Sequence, residues 1–129
     1  MLLLDTHAFI WLASDPARLP PVACEAIRQE AARLFLSSIS ALEIGLLLKR
    51  GRLELPLPPS EFIARALAHH GVHEIPVDHE IALASTALPD LHNDPFDRIL
   101  VATAHVRDLR LVSKDAQLAR YPGARVVWS

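Results

Sequence analysis

The chain has 129 residues, of which 51% are hydrophobic and 22% charged, so its composition excludes a disordered protein and fits one domain over residues 1–129. A formal net charge of −2 excludes a strongly basic surface that binds nucleic acid through phosphate contacts alone. The single cysteine, Cys24, excludes an internal disulfide and a cysteine-built zinc site, and we expect a reducing, cytoplasmic location.

Short apolar runs alternate with longer segments of helical period. The predicted strands are Leu2–Leu4, Leu34–Leu36, Glu74–Val77, Leu111–Val112 and Arg125–Trp128. The predicted helices are Ala8–Leu12, Val22–Ala32, Ala41–Arg50, Glu61–Ala68, His79–Ser85, Pro95–Val106 and Ala116–Ala119. The proline-rich segment Gly51–Pro59 is predicted to be a loop. This alternation predicts an α/β fold whose parallel sheet has helices on both faces.

The apolar opening of the chain does not have the features of a secretory signal. It lacks a basic start and is interrupted by Asp5 and His7. No other stretch approaches the length of a membrane span. We therefore expect no membrane association.

Four acidic residues stand at places where a parallel sheet gathers its ligands. Asp5 directly follows the first predicted strand, Glu43 lies in the first turn of the helix after the second strand, and Asp115 follows Leu111–Val112. Asp97 lies in the first turn of a later helix. Ligands of open parallel sheets bind outside the carboxyl ends of the strands. Carboxylates brought together there repel one another unless protons or a cation neutralise them, and Mg²⁺ prefers oxygen ligands.

Each acid also has an explanation that needs no metal. Ser40–Glu43 matches a capping box, in which Glu43 bonds to the start of its own helix. Asp94–Asp97 places Asp94 at the N-cap, proline at the first helical position and Asp97 where an acid suits the helix dipole. Asp115 can cap the short helix that follows it, Asp5 can form part of a strand-to-helix turn, and Asp78 also stands between a strand and a helix. The pattern alone leaves a metal site and helix capping both open.

Four segments of the chain resemble the motifs of PIN domains, namely Leu3–His7, Ser37–Ile44, Asp94–Ala102 and Leu111–Asp115. Their order and spacing match along the whole chain, and Asp-Pro-Phe-Asp-Arg is the most specific piece. The compact size and the early first motif resemble the VapC toxins of toxin–antitoxin pairs. The resemblance implies a single Rossmann-like PIN domain with a parallel sheet of order 3-2-1-4-5.

The same resemblance implies an endoribonuclease that depends on Mg²⁺ or Mn²⁺ and leaves a 5′-phosphate on one RNA product. Carried over by position, its catalytic and metal-binding acids are Asp5, Glu43, Asp97 and Asp115. It also implies an RNA substrate such as tRNA or rRNA, a homodimer, and a cognate antitoxin protein. The strand order places Asp78 after an edge strand, away from the neighbouring strands that precede Asp5 and Asp115.

Several neighbours of these acids are candidates for contacts with a metal-bound water or with the substrate. Thr6 and Ser113 can bind such a water or bond to the local backbone. Asp94 is expected to be an N-cap, with the alternative that it holds Asp97 or Arg98 in place. Arg98 either reaches a phosphate or a carboxylate, or is exposed in the first turn of its helix.

Other polar and aromatic residues are better explained by packing or exposure. His7 is considered as a metal ligand, but its helix favours packing or exposure, and the remaining histidines show no ligand spacing. The basic cluster Lys49–Arg52 is placed at a helix C-terminus, where cations are favoured, and a surface contacting RNA or antitoxin is the alternative. Trp11 and Trp128 are expected to be core or dimer contacts rather than base-stacking platforms.

Two other functions are considered. One is a non-catalytic PIN-like module that binds RNA or a protein partner. The other is a receiver-like phospho-accepting domain, for which Lys114 next to Asp115 gives superficial support. Receiver-like domains carry a pair of acids after the first strand, whereas only Asp5 follows it here.

Overall fold

Five parallel strands form one sheet in the order β3-β2-β1-β4-β5, in a computed structural model that describes all residues 1–129. The strands are β1 (Leu2–Leu4), β2 (Leu34–Ser37), β3 (Val72–Ile75), β4 (Arg110–Val112) and β5 (Val126–Val127). Every neighbouring pair is parallel. The predicted α/β class and the strand order implied by the resemblance are both confirmed.

Six α-helices connect the strands. They are α1 (Thr6–Ser14), α2 (Pro21–Gln29), α3 (Ile39–Lys49), α4 (Pro59–His70), α5 (His79–Ala87) and α6 (Pro95–Arg107). Two 3₁₀ helices, Pro16–Arg18 and Ala116–Arg120, complete the regular structure; the first was not predicted, and the second was predicted as part of the helical set. None of the helices combines the length and the apolar character that crossing a membrane requires.

The third strand is the one strand whose predicted position is wrong by two residues at both ends. Gly71 ends α4 in the left-handed conformation (φ 62°), a backbone state that glycine adopts without strain. The chain then enters β3 at once, with Val72 paired to Leu34 of β2. The predicted segment Glu74–Val77 therefore starts within the strand and extends past its end.

The central strand β1 is buried on both faces, which explains its uninterrupted run of leucines. Leu2 and Leu4 pack into one hydrophobic cluster with residues such as Phe9. Leu3 points to the opposite face and packs into a second cluster that includes Leu100. Because successive side chains alternate between the faces of a sheet, three residues anchor both layers of the domain.

The strands on either side of β1 end level with it. Leu4 is paired with Leu36 of β2 and with Val112 of β4. The residue after β4, Ser113, donates its N–H to the carbonyl of Val127 in β5 at 3.2 Å. The residues that follow these strands therefore leave the sheet together at one edge, and this edge is the position of the candidate site.

Candidate metal centre

Asp5 joins β1 to α1. Its N–H donates to the carbonyl of Val112 at 3.0 Å and extends the pairing of β1 with β4 by one residue. Its side-chain Oδ1 accepts from the N–H of Ala8 at 2.7 Å and caps α1. The predicted strand-to-helix turn is confirmed. This cap uses one carboxylate oxygen, so a second oxygen of Asp5 is available to other partners.

Glu43 is held by Thr6 and not by the start of its own helix. Because α3 begins at Ile39, Glu43 lies in the second turn, and the N-cap residue Ser38 makes no side-chain capping bond. Glu43 Oε1 accepts a hydrogen bond from Thr6 Oγ1 at 2.7 Å, and this hydroxyl also lies 2.9 Å from Ser40 Oγ. The capping-box interpretation is therefore wrong, since the helix starts earlier than that motif requires.

Asp97 has no capping role. Asp94 caps α6 instead, because its Oδ1 accepts from the N–H of Phe96 at 2.9 Å and Pro95 occupies the first helical position. The predicted N-cap is confirmed. Asp97 Oδ2 lies 3.4 Å from Nε2 of His92, and about a quarter of the Asp97 side chain (24%) is exposed. Its carboxylate is therefore accessible and is not committed to the helix terminus.

Asp115 follows β4 and caps the short 3₁₀ helix after it. Its Oδ1 accepts from the N–H of Gln117 at 2.9 Å, whereas its Oδ2 lies 3.3 Å from His92 Nε2. Ser113 Oγ accepts from the N–H of Asp115 at 3.1 Å, and the Ser113 side chain also bonds to the carboxylate of Asp5. Capping and site formation are compatible here, because each function uses a different oxygen of the same carboxylate.

His92 also belongs to this group, although the histidines beyond His7 show no ligand spacing in the sequence. His92 lies in the loop between α5 and α6, where its Nδ1 accepts from the N–H of Asp94 at 3.1 Å. A neutral imidazole that accepts at Nδ1 carries its proton on Nε2. Nε2 therefore donates towards Asp115. In the sequence, only its position two residues before the helix cap distinguished His92 from the other histidines.

The acids of the site make one another harder to ionise. The pKa of Asp97 is raised to about 7, first by burial and then by the negative charges of Asp94, Asp115 and Glu43. His92 opposes this increase. Asp97 therefore has a poorly stabilised negative charge at neutral pH in the absence of a cation.

The pKa of Asp5 is raised as well. Burial is the largest cause of its raised pKa, and the charge of Glu43 raises it as well. Hydrogen bonds from the Ala8 N–H and from Ser113 lower it in part. Because Glu43 acts on both Asp5 and Asp97, the four predicted acids form one electrostatic unit.

This donor set suits a hard divalent cation. Nε2 of His92 and one carboxylate oxygen each of Asp97 and Asp115 lie within 4.8 Å of one another, so the acids converge on a small volume. Most of the available donors are carboxylate oxygens, which hard cations prefer, and a cation relieves the mutual repulsion of the acids. The residues present therefore fit a metal centre.

Arg98 lies beside the centre, but it is partly buried and its guanidinium pairs with no carboxylate, so the exposed position and the carboxylate pairing are both wrong. Its contact with a phosphate stays a prediction. Nη1 donates to the carbonyls of Pro89 at 2.9 Å and His92 at 3.2 Å. Nη2 donates to the carbonyls of Ser85 and Leu88, both at 2.9 Å. Arg98 thus forms a clamp that joins the end of α5, the loop that carries His92, and the start of α6.

Two other residues considered from the sequence lie outside the centre. Asp78 caps α5 through the N–H of Ile81 at 2.9 Å, and its charged partner is Arg107 at 3.7 Å. It follows the edge strand β3, as the implied strand order required. His7 is exposed and packs near Trp11, with ring centroids 5.7 Å apart, which agrees with the expectation of packing or exposure.

Comparison with known proteins agrees with this arrangement. The chain matches the PIN domain over residues 2–124. It is 35% identical over 129 residues to Ribonuclease VapC22 from Mycobacterium tuberculosis, covering 98% of this chain and 97% of that protein. The solved fold of DNA-bound VapBC from Salmonella typhimurium superposes with a TM-score of 0.68 at 20% identity, covering 97% of this chain and 95% of that one.

A toxin–antitoxin complex from Klebsiella pneumoniae has a similar fold, with a TM-score of 0.66, 23% identity, and coverage of 96% of this chain and 95% of that one. The domain match and the full-length relative confirm the resemblance found in the sequence motifs. They favour the PIN interpretation over a receiver-like domain. The protein belongs to the PIN domain family.

Proposed function

We propose that this protein is a metal-dependent endoribonuclease that hydrolyses RNA phosphodiester bonds, and that it acts as the toxin of a VapBC-type pair. The observation that carries the proposal is the convergence of four acids from separate elements at the carboxyl edge of a parallel sheet. The chain's relative is named a ribonuclease, and similar folds occur in toxin–antitoxin complexes.

Asp5, Asp97 and Asp115 would hold the cation, directly or through its waters, and Mg²⁺ or Mn²⁺ would suit their oxygen donors. When bound, such a cation lowers the pKa of a coordinated water and stabilises charge on a phosphodiester. In the tautomer favoured by Asp94, His92 donates a hydrogen bond to Asp115 and acts as a partner of the acids rather than a ligand.

Glu43 completes the site and helps to orient the attacking water. The Thr6 hydroxyl donates to Glu43 Oε1, so this oxygen is fixed in place while Oε2 is left to accept from a water. Ser113 supports Asp5 and Asp115 from between them. The products would carry a 5′-phosphate on one RNA fragment, as the family resemblance implies.

We also propose the partners that accompany this activity in VapC-type proteins. The substrate would be tRNA or rRNA, the protein would form a homodimer, and a cognate antitoxin would silence it in the cytoplasm. The whole domain, residues 1–129, would be the functional unit. A short gene for a DNA-binding protein immediately upstream of this one would support the pairing with an antitoxin.

The direct test compares Asp97→Asn with Asp78→Asn in an RNA cleavage assay. Both substitutions replace a carboxyl group near a helix start by an amide, but only Asp97 lies in the centre. We expect Asp97→Asn to abolish cleavage with an intact circular dichroism spectrum, and Asp78→Asn to leave cleavage unchanged. Full activity in Asp97→Asn, or in excess EDTA, would refute the proposal. Tight RNA binding without cleavage by the wild type would instead indicate a non-catalytic PIN-like module.

A further inference from the structure

A cleft beside the acids combines aromatic and cationic side chains. It has a volume of about 430 Å³, and its lining includes Trp11, Arg18, Lys114 and Trp128. Clefts of about 300–1,000 Å³ are typical of sites for small organic groups. The cleft contains both tryptophans of the chain, and neither residue has a role in the proposed chemistry.

The aromatic rings of the cleft pack at an angle to each other, and Arg18 lies over one of them. The guanidinium carbon of Arg18 lies 4.6 Å from the ring centroid of Trp11. The rings of Trp11 and Trp128 are 5.8 Å apart and inclined at 51°. Both rings are partly buried against the core, in line with the packing predicted for them, yet they still line the open cleft. Packing thus fixes the orientation of the rings and lowers the entropy cost of stacking a ligand on them.

The cationic part of the cleft has no acidic partner within the chain. Six arginines pair with carboxylates elsewhere, and neither Arg18 nor Lys114 is among them. Both residues are exposed. The net charge of the protein is −2, yet two cations without an acidic partner stand in this one aromatic cleft. Such a cleft favours an anionic ligand with a flat group that can stack on the rings.

Two residues that line the cleft adjoin the metal centre along the backbone. Lys114 stands between Ser113 and Asp115, both of which belong to the centre. Trp128 directly follows β5, whose Val127 carbonyl accepts from the Ser113 N–H at 3.2 Å. The cleft therefore opens at the same carboxyl edge of the sheet as the acids.

We propose that this cleft binds an unpaired nucleotide of the RNA substrate next to the scissile phosphate. The base stacks on the tryptophans, and Arg18 and Lys114 contact the flanking phosphates. Proteins commonly hold single-stranded nucleic acid by combining cations that contact the backbone with aromatic side chains on which the bases stack. The inference rests on the proposed ribonuclease function, and it predicts a preference for single-stranded over fully duplex RNA at the cut site.

Because the two tryptophans of the chain both line the cleft, intrinsic fluorescence reports its occupancy. We expect an oligoribonucleotide of about ten uridines, titrated in EDTA to prevent cleavage, to quench this fluorescence saturably, whereas a blunt RNA duplex does not. Trp128→Leu keeps an apolar side chain against the core but removes the stacking face, and we expect affinity to fall about tenfold.

The cations are tested by the double variant Arg18→Gln with Lys114→Gln, which changes only exposed side chains. We expect this variant to bind the oligonucleotide more weakly. The slope of log binding constant against log salt concentration should be smaller in magnitude by about 1.4, because two phosphate contacts on a single strand are lost. The matched control is Arg28→Gln with Arg65→Gln, two exposed cations that form ion pairs within their own helices, and it should bind as the wild type does.

Absence of quenching, or equal affinity in the cleft and control variants, would overturn the inference. So would cleft variants that bind RNA normally but lose affinity for an antitoxin, because the cleft would then be a protein-binding surface. If the wild type cleaves RNA while the cleft variants bind it normally, the inference fails and the proposed function stands. If the oligonucleotide quenches but no RNA is cleaved under any metal condition, the proposed function fails instead.

Discussion

The strongest quantitative prediction concerns the stability of the metal-free protein and its dependence on Asp97. The pKa of this carboxyl is raised from 3.8 to about 7 in the folded protein. The folded state therefore holds the proton more tightly than the unfolded state does, and the resulting stabilisation is present at low pH. It is lost as the pH rises from about 4 through 7.

Raising the pKa from 3.8 to about 7 lowers the free energy of unfolding by about 2.6 kcal/mol between pH 5 and pH 8, at about 1.36 kcal/mol for each pH unit below the raised pKa. Because 24% of the Asp97 side chain is exposed, solvent screening lowers our expectation to about 2 kcal/mol. Asparagine cannot ionise, so Asp97→Asn escapes this loss. In EDTA, we expect the free energy of unfolding of Asp97→Asn, relative to wild type, to increase by about 2 kcal/mol between pH 5 and pH 8.

Urea denaturation at both pH values measures this difference directly, with the midpoint and slope determined for each protein. Asp78→Asn is the control, because Asp78 faces Arg107 instead of other acids, and its effect on stability should not grow with pH in this direction. A difference between Asp97→Asn and wild type that stays constant, or decreases, from pH 5 to pH 8 would refute the reasoning. It would mean that burial and the neighbouring acids do not raise the pKa of Asp97 in the metal-free fold.

Three further predictions concern the cation, the clamp and the sheet. Mg²⁺ at one hundred times its dissociation constant should stabilise wild type by about 2.7 kcal/mol in thermal unfolding, and Asp97→Asn by clearly less. Arg98→Lys keeps the charge but loses the planar fork, so the free energy of unfolding by urea should fall by about 2 kcal/mol; an unchanged value would argue against the clamp. Leu3→Ala should lower the free energy of unfolding by about 3 kcal/mol in the same assay, because it leaves a cavity beneath the central strand. A loss below about 1 kcal/mol would contradict this, since it would mean that neighbouring side chains fill the cavity.

The sheet and two of the acids could be predicted because their signals are local. A run of apolar residues followed directly by an acid, as at Leu2–Leu4 and Asp5, reports both a buried strand and the edge at which it ends. Asp115 after β4 follows the same logic. Asp5 and Asp115 can therefore be predicted without knowing how distant segments of the chain pack together.

The misassigned residues depend on contacts between distant segments. Glu43 fits a capping box in the sequence, but its bond is to Thr6 on another helix. Arg98 has four carbonyl partners that are defined only once α5 and α6 have packed together. His92 reaches Asp115, and no spacing rule connects two residues joined by the folded sheet alone. Local preference predicted the elements, whereas tertiary packing decided what the polar side chains bind.

The pairing of β1 with β4 has a consequence for the synthesis of this protein. Leu3 lies beside Leu111, so the central strand gains its second neighbour only when nearly the whole chain has left the ribosome. Asp5 must wait equally long for Ser113, which in turn holds Asp115. A nascent chain therefore cannot complete the candidate centre until these residues have been synthesised. A fragment without its last quarter loses β4, Ser113 and Asp115, and it should be unable to form the centre.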